Sequence, residues 1–380
     1  MSVNQGLEDV IVAETKLSKV DGLAGKLTIF GYSLEELAPN ASYEETLFLL
    51  WHDKLPNSSE LAEFNKDMRS LRNLNDVAKY TLKEAANKRI HPMDALRLTS
   101  TTLVLDDPNP LDNSYSTNIA RVRKMTACFP TIIANYWRLK EGKDYIEPRD
   151  DLDHAENFLY MLTGKEPTKE SARGLEIYLN TVADHGLNAS TFTARVIAST
   201  DSDINSALTG AIGALKGPKH GGAPGPALDM IFEIEKVENT EPYIRKKLEN
   251  RELIMGFGHR VYKVRDPRAE VLSKAAENLF VGDKREFFDM VKEVERIIVR
   301  LFEEYKPGRN IQTNVEFYTA LLLHGCELKP DIFSSIFAMG RVAGWGAHVL
   351  EQMQNNRIMR PKSLYKGEFD KTWVPIEDRD

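Results

Sequence analysis

The sequence predicts a mainly α-helical protein in two domains, a larger helical one interrupted by a smaller inserted one. Three observations carry this. Capped apolar runs with helical spacing recur along the chain. The regular strand–helix alternation of a doubly wound sheet is missing. Three glycine-rich breaks interrupt the later half. The length of 380 residues suits two or three domains. With 42% hydrophobic and 28% charged residues, the composition is that of a folded chain rather than a disordered one.

Taken in order, Lys26 to Phe30 reads as one arm of a short hairpin turned at Asp21-Gly22. Ser42 with Glu45 is a capping box; Leu47, Leu50 and Trp51 follow, and Pro56 closes that helix. Asn57 with Glu60 repeats the pattern ahead of Leu61, Phe64, Met68 and Leu71. Met93, Leu96, Ser100 and Leu103 continue it up to Pro108 and Pro110. A compact apolar helix spans Asn157 to Leu162 and stops at Gly164 and Pro167. Leu175, Tyr178, Leu179 and Val182 form the next stripe. From Lys216 to Pro226 the chain holds four glycines and three prolines, which reads as punctuation, not helix. Helices rich in Lys and Glu follow, broken at Gly256-Phe257-Gly258 and at Lys306-Pro307-Gly308. Residues 218–325 are therefore read as the small domain, and 1–217 with 326–380 as the large one. Thr372 to Ile376 is expected to be a short C-terminal strand.

The formal charge of −7 argues against bulk nucleic-acid binding. Cys128 and Cys326 lack metal or disulfide spacing, which fits a reduced compartment. No apolar run is long enough to span a membrane, and no targeting segment is recognisable. A cytoplasmic location is expected.

Three of the eight histidines stand next to glycine in breaks: His185, His220 and His259. Backbone groups near helix ends can set the tautomer and basicity of such a ring. His52, His91, His154, His324 and His348 read as structural. Zinc-type spacing is missing, so no metal is expected. Gly256-Phe257-Gly258 is not a dinucleotide loop, because Val261 occupies the third glycine position and no strand precedes it. Cations cluster at Arg260, Lys263, Arg265 and Arg268, and again at Arg357, Arg360 and Lys362. In an acidic chain these are candidate anion sites.

The motifs resemble those of the citrate synthases of bacteria and archaea. Leu215 to Gly222 looks like one signature of that family. Met255 to Lys263, followed by Asp266-Pro267-Arg268-Ala269, looks like the most specific one. Asn314 to Tyr318 is similar to a third. Arg341 to Trp345, Ala347-His348 and Arg360-Pro361 fit at the C-terminal end, and Gly6-Leu7 to Gly31-Tyr32 fit at the N-terminal end. The resemblance covers nearly the whole chain.

It implies a mainly α, two-domain fold that closes on substrate, a homodimer, and condensation of acetyl-CoA with oxaloacetate to citrate and CoA. No permanently bound cofactor, metal, nucleic acid or membrane is implied. His220 would stabilise the enol, Glu316 would remove the methyl proton and His259 would protonate the oxaloacetate carbonyl. His185, Arg268, Arg341 and Arg360 match positions holding the dicarboxylate, with Arg360 reaching in from the other subunit. Lys263 and the backbone of Gly256 to Gly258 would contact CoA.

Two positions depart from the family pattern. Glu316 stands where Asp is usual, and Phe30 stands where Arg is frequent. An extra methylene displaces a carboxylate by roughly 1.5 Å on a fixed backbone, and misplacement of about 1 Å can cost on the order of 100-fold in rate. A shifted backbone or a slow, specialised enzyme would follow. A 2-methylcitrate synthase using propionyl-CoA and a low-turnover paralogue kept for binding or regulation are the competing readings.

Overall fold

In the computed structural model, residues 4–7, 9–222 and 224–379 are described. The expected hairpin forms. Strands β1 (Ser18–Asp21) and β2 (Lys26–Ile29) pair antiparallel, with Ser18 opposite Ile29 and Asp21 opposite Lys26. A third, two-residue strand β3 (Tyr32–Ser33) pairs with β2. Asp21 Oδ1 accepts the backbone N–H of Ala24 at 2.8 Å, which closes the turn.

The remaining elements are helices. Those before the first glycine-rich break are α1 (Leu34–Asn40), α2 (Tyr43–His52), α3 (Ser58–Ser70), α4 (Asp76–Asn87), α5 (Pro92–Thr101), α6 (Tyr115–Lys140), α7 (His154–Thr163), α8 (Lys169–Val182), α9 (Ala189–Ala198) and α10 (Ile204–Leu215). Both capping boxes are made: Ser42 opens α2 with Glu45, and Asn57 opens α3 with Glu60. Gly164 ends α7 in the left-handed conformation, as its position suggests. The 26 residues of α6 continue through Pro130.

After the break come α11 (Pro224–Ile234), α12 (Val237–Glu249), α13 (Pro267–Glu277), α14 (Arg285–Tyr305) and α15 (Val315–Gly325). The expected punctuation is thus shorter than its composition implies. It ends before Pro224, since proline is well suited to the first turn of a helix, where its missing N–H costs nothing. These helices pack largely on one another, α12 against α14 and α13 against α15. The apolar face of α14, including Val291, Val294, Ile298 and Leu301, is buried there.

The last helix, α16 (Phe333–Gln354), packs on α6, α8, α9 and α10. It is buried on nearly all sides. Tyr43 donates its hydroxyl to the carbonyls of Met339 and Gly340, and Trp51 donates Nε1–H to that of Ala343. Gly344 is needed for a close approach: a Cβ there would stand 2.3 Å from the Ala183 carbonyl oxygen. That contact presses Arg341, Trp345 and His348 against the turn between α8 and α9. Residues Thr372 to Pro375 form no strand; the chain is irregular there and ends in a short 3₁₀ turn, Ile376–Asp378. Trp373 and Ile376 are exposed, so an isolated strand would have no partner or core to lie against.

Candidate active site

The α8–α9 turn carries Asp184, His185 and Gly186, and α9 begins with Asn188 as its cap. Ser190, in the first turn of α9, faces the loop after α10. Its backbone N–H lies 3.3 Å from His220 Nε2 and its hydroxyl 2.8 Å from the same nitrogen. A backbone N–H can only donate, so Nε2 carries the lone pair and the neutral ring carries its proton on Nδ1. Burial, reinforced by Arg341, lowers the His220 pKa to about 4, so the ring is neutral at physiological pH.

His259 has the opposite tautomer. The backbone N–H groups of Val261 and Tyr262 both point at its Nδ1, at 2.9 and 3.1 Å. The neutral ring is therefore protonated at Nε2. Burial and then Arg268 lower its pKa to about 4. Arg268 Nη2 lies 3.3 Å from that same Nε2. Two donors converge there, an arrangement that favours an oxygen acceptor.

The loop that holds His259 depends on glycine. Gly256 has φ +85°, and a Cβ on it would come within 2.9 Å of Phe317 Cβ. The loop is sewn to the segment before α15: Gly256 accepts from the Asn314 backbone N–H at 3.0 Å, and Gly258 donates to Gln312 O at 2.8 Å. Asn314 Nδ2 donates to Gly258 O, and its Oδ1 caps α15 on the N–H of Glu316. One link therefore sets His259 and Glu316 relative to each other.

Glu316 is half-buried in the first turn of α15. Burial raises its pKa to about 7, with Arg268 and Arg341 pulling it down and Asp266 pushing it up. Its carboxylate accepts no hydrogen bond among the described residues.

The arginines differ in their pairing. Arg268 is clamped by Asp266, with Nε 3.0 Å from Oδ1 and Nη2 2.7 Å from Oδ2, both residues being buried. Arg341, also buried, gives Nε–H to the Val182 carbonyl and has no carboxylate in ion-pair range among the described residues. Burial lowers its pKa to about 10. A buried, charged guanidinium without a carboxylate is a strong anion site. His185 Nε2 lies 3.1 Å from the Tyr262 hydroxyl, and its ring centroid is 5.9 Å from that of His259.

His185, His259, Glu316, Arg268 and Arg341 thus gather with Tyr262, and His220 joins them through Ser190 and Arg341. Lys263 is exposed beside this group, its Nζ 3.3 Å from the Arg260 carbonyl. Arg360 is not brought to it within the chain. It is exposed and lines a groove of about 900 Å³ with Val10, Lys16, Glu351 and Arg357. Among the described residues no group of His, Cys, Asp and Glu could hold a metal, and no helix is long and apolar enough to cross a membrane.

A family model described as "Citrate synthase, C-terminal domain" matches residues 6–362. The chain belongs to the citrate synthase family. It is 42% identical to the citrate synthase of Deinococcus radiodurans over 379 residues, covering 100% of this chain and 99% of that one. It is 38% identical to 2-methylcitrate synthase 2 of Corynebacterium glutamicum, covering 99% and 98%. The solved citrate synthase of Thermoplasma acidophilum, in complex with carboxymethyl coenzyme A and oxaloacetate, superposes with a TM-score of 0.91 at 28% identity, each chain covered in full. The expected helical citrate synthase fold is therefore found. Sequence reasoning does not single out Ser190, Tyr262 and Asp266, although they hold His220, His185 and Arg268 respectively.

Proposed function

We propose that this citrate synthase family member condenses acetyl-CoA with oxaloacetate and hydrolyses the resulting citryl thioester to citrate and CoA. The observation that carries the reading is the pair of neutral histidines with opposite, backbone-set tautomers. His220 offers Nδ1–H to an oxyanion, and His259 offers Nε2–H beside Arg268.

A thioester methyl is too weak an acid for a carboxylate alone. Glu316, with a pKa near 7, takes the proton while His220 donates a hydrogen bond to the thioester oxygen as it becomes an enolate. The enol carbon then attacks the oxaloacetate carbonyl carbon, whose oxygen receives the Nε2 proton of His259. Arg268, Arg341 and His185 hold the carboxylates of the dianion. Lys263 and the loop backbone at Gly256 and Gly258 hold CoA. Two domains, 1–217 with 326–380 and 218–325, close over the substrates to exclude water until the carbon–carbon bond has formed. The mutual packing of α11 to α15 supports that division.

Arg360 acts in the partner's site of a cytoplasmic homodimer, which accounts for its distance from the histidines of its own chain. Mixing inactive Arg360→Ala and His259→Ala chains should restore part of the activity, because some mixed dimers keep one complete site. No recovery would overturn action in trans.

Propionyl-CoA is the competing thioester, favoured by the similarity to 2-methylcitrate synthases. One methylene discriminates by only about 1–3 kcal/mol. Comparing kcat/KM for the two thioesters, with free CoA as readout, decides between them. Release of no CoA from either, with oxaloacetate still bound, would make this a binding paralogue.

A further inference from the structure

Glu295 stands on α14, outside the residues assigned above, and is 5% exposed. Both of its carboxylate oxygens are occupied. Oε1 accepts from the Arg265 guanidinium and from the Thr313 hydroxyl at 2.6 Å. Oε2 accepts from the Tyr318 phenol at 2.5 Å. Arg265 and Lys292 flank the Tyr318 ring, 5.5 and 5.6 Å from its centroid.

Each of the three donors lies close in sequence to a site group. Arg265 immediately precedes Asp266, the clamp on Arg268. Thr313 precedes the cap residue Asn314, forms a β-bridge with Phe257, and accepts the Asp266 backbone N–H at 3.2 Å. Tyr318 follows Glu316 by two residues on α15. One buried carboxylate therefore ties three segments together: the His259–Arg268 loop, the approach to α15, and the turn that carries the base. Burying a carboxylate is costly, and a hydrophobic side chain could fill the same space. What the carboxylate adds is directional bonds to all three segments.

We propose that Glu295 is a positioning residue that sets where Glu316 stands relative to His259 and Arg268. This rests on the reading of Glu316 as the base. A glutamate has one more rotatable bond than an aspartate, so its carboxylate depends more on the setting of the backbone that carries it.

The test is Glu295→Gln, measured with acetyl-CoA and oxaloacetate, alone and combined with Glu316→Gln. Glu295→Gln alone should lower kcat by about 10- to 100-fold, with a much smaller change in the oxaloacetate dissociation constant. It should also shift the acid limb of the pH–rate profile, which a purely structural role would not do. In the Glu316→Gln background the same substitution should cost little more. Tyr318→Phe and Thr313→Val each remove one bond and should give smaller losses in the same direction; they carry the test if Glu295→Gln fails to fold. Wild-type kcat and pH profile in all three variants, or a loss undiminished in the Glu316→Gln background, overturns the clamp. Near-normal turnover of Glu316→Gln by itself would instead sink the base assignment, and the clamp's purpose with it.

Discussion

The Ser190 hydroxyl lies 2.8 Å from His220 Nε2 and accepts the Trp345 Nε1–H at 3.0 Å. Trp345 is fully buried on α16, so the hydroxyl is held by the core. His220, on an irregular loop, takes its orientation from that contact and from the Ser190 backbone N–H. Ser190→Ala removes the first and keeps the second. The tautomer is thus preserved while the ring loses one restraint worth about 1 kcal/mol. We expect kcat to fall roughly fivefold to tenfold, with a smaller change in KM for acetyl-CoA. Steady-state kinetics checks this; a change confined to KM would mean that the ring is already held without the hydroxyl.

Behind the site, Asp184 and His348 form a pair with no exposed surface. Asp184 Oδ1 lies 3.1 Å from His348 Nε2, and Oδ2 accepts from Ser18 on β1. His348 Nδ1 faces Arg195, which also pairs with Glu351. Burial pushes the Asp184 carboxyl up, but His348 and Ser18 outweigh it, and its pKa ends below the ordinary value. A depressed carboxylate pKa adds stability above the unfolded value near 4, and that stability is lost as pH falls through the folded one. Asp184→Asn should therefore destabilise the protein at pH 7 by about 3–5 kcal/mol. The gap to wild type should narrow as pH falls below about 4. Urea unfolding midpoints at the two pH values test both the size and the sign.

The glycine-flanked histidines were legible because their local setting is unusual, and the arginines because they stand in long motifs. Their supports were not. Ser190 is an ordinary first-turn residue of a capped helix, and only the fold brings it to His220, thirty positions later. Glu295 sits in a charged amphipathic helix among many similar glutamates. The misreading of the first glycine-rich break has a local cause. Pro224 signals a stop, yet it stands in the first turn of α11, where the missing N–H leaves no gap. Arg360 was legible as a motif residue, but one chain does not bring it to the site.

Gly256 and Gly258 allow a contrast within one loop. Both have positive φ, +85° and +81°. A Cβ at 256 would also strike Phe317, whereas at 258 the nearest neighbour is Ile311 Cγ2 at 3.7 Å. Gly258→Ala should cost only the backbone strain, about 1–2 kcal/mol. Gly256→Ala should cost more, because Phe317 and the cap at Asn314 must shift together. We expect it to lower both stability and kcat. Thermal unfolding and turnover of the two variants check the order; equal effects would mean that the Phe317 contact relaxes freely.

On the proposed mechanism, Glu316 ties activity and stability to the same proton. With burial holding its pKa near 7, the ionised base is lost on acidification, so kcat/KM should fall about tenfold per pH unit below about 7. His220 and His259, near pH 4, add no limb between pH 5 and 8. The stability sign runs the other way. A folded pKa raised above the unfolded value gives stability that is fully present at low pH and lost as pH rises through about 7. Ionised Glu316 is therefore a cost to the fold in the range where the proposed mechanism needs it. Glu316→Gln should gain stability relative to wild type as pH rises from 5 to 8, while its turnover falls by about 100-fold or more. Glu316→Asp keeps the charge but shortens the reach; if Glu295 and Asn314 set the backbone for glutamate, that variant should also be slower. A large rate gain in Glu316→Asp would mean that the site is merely impaired by the longer side chain. A profile flat from pH 5 to 8 would remove Glu316 from the proton-transfer step.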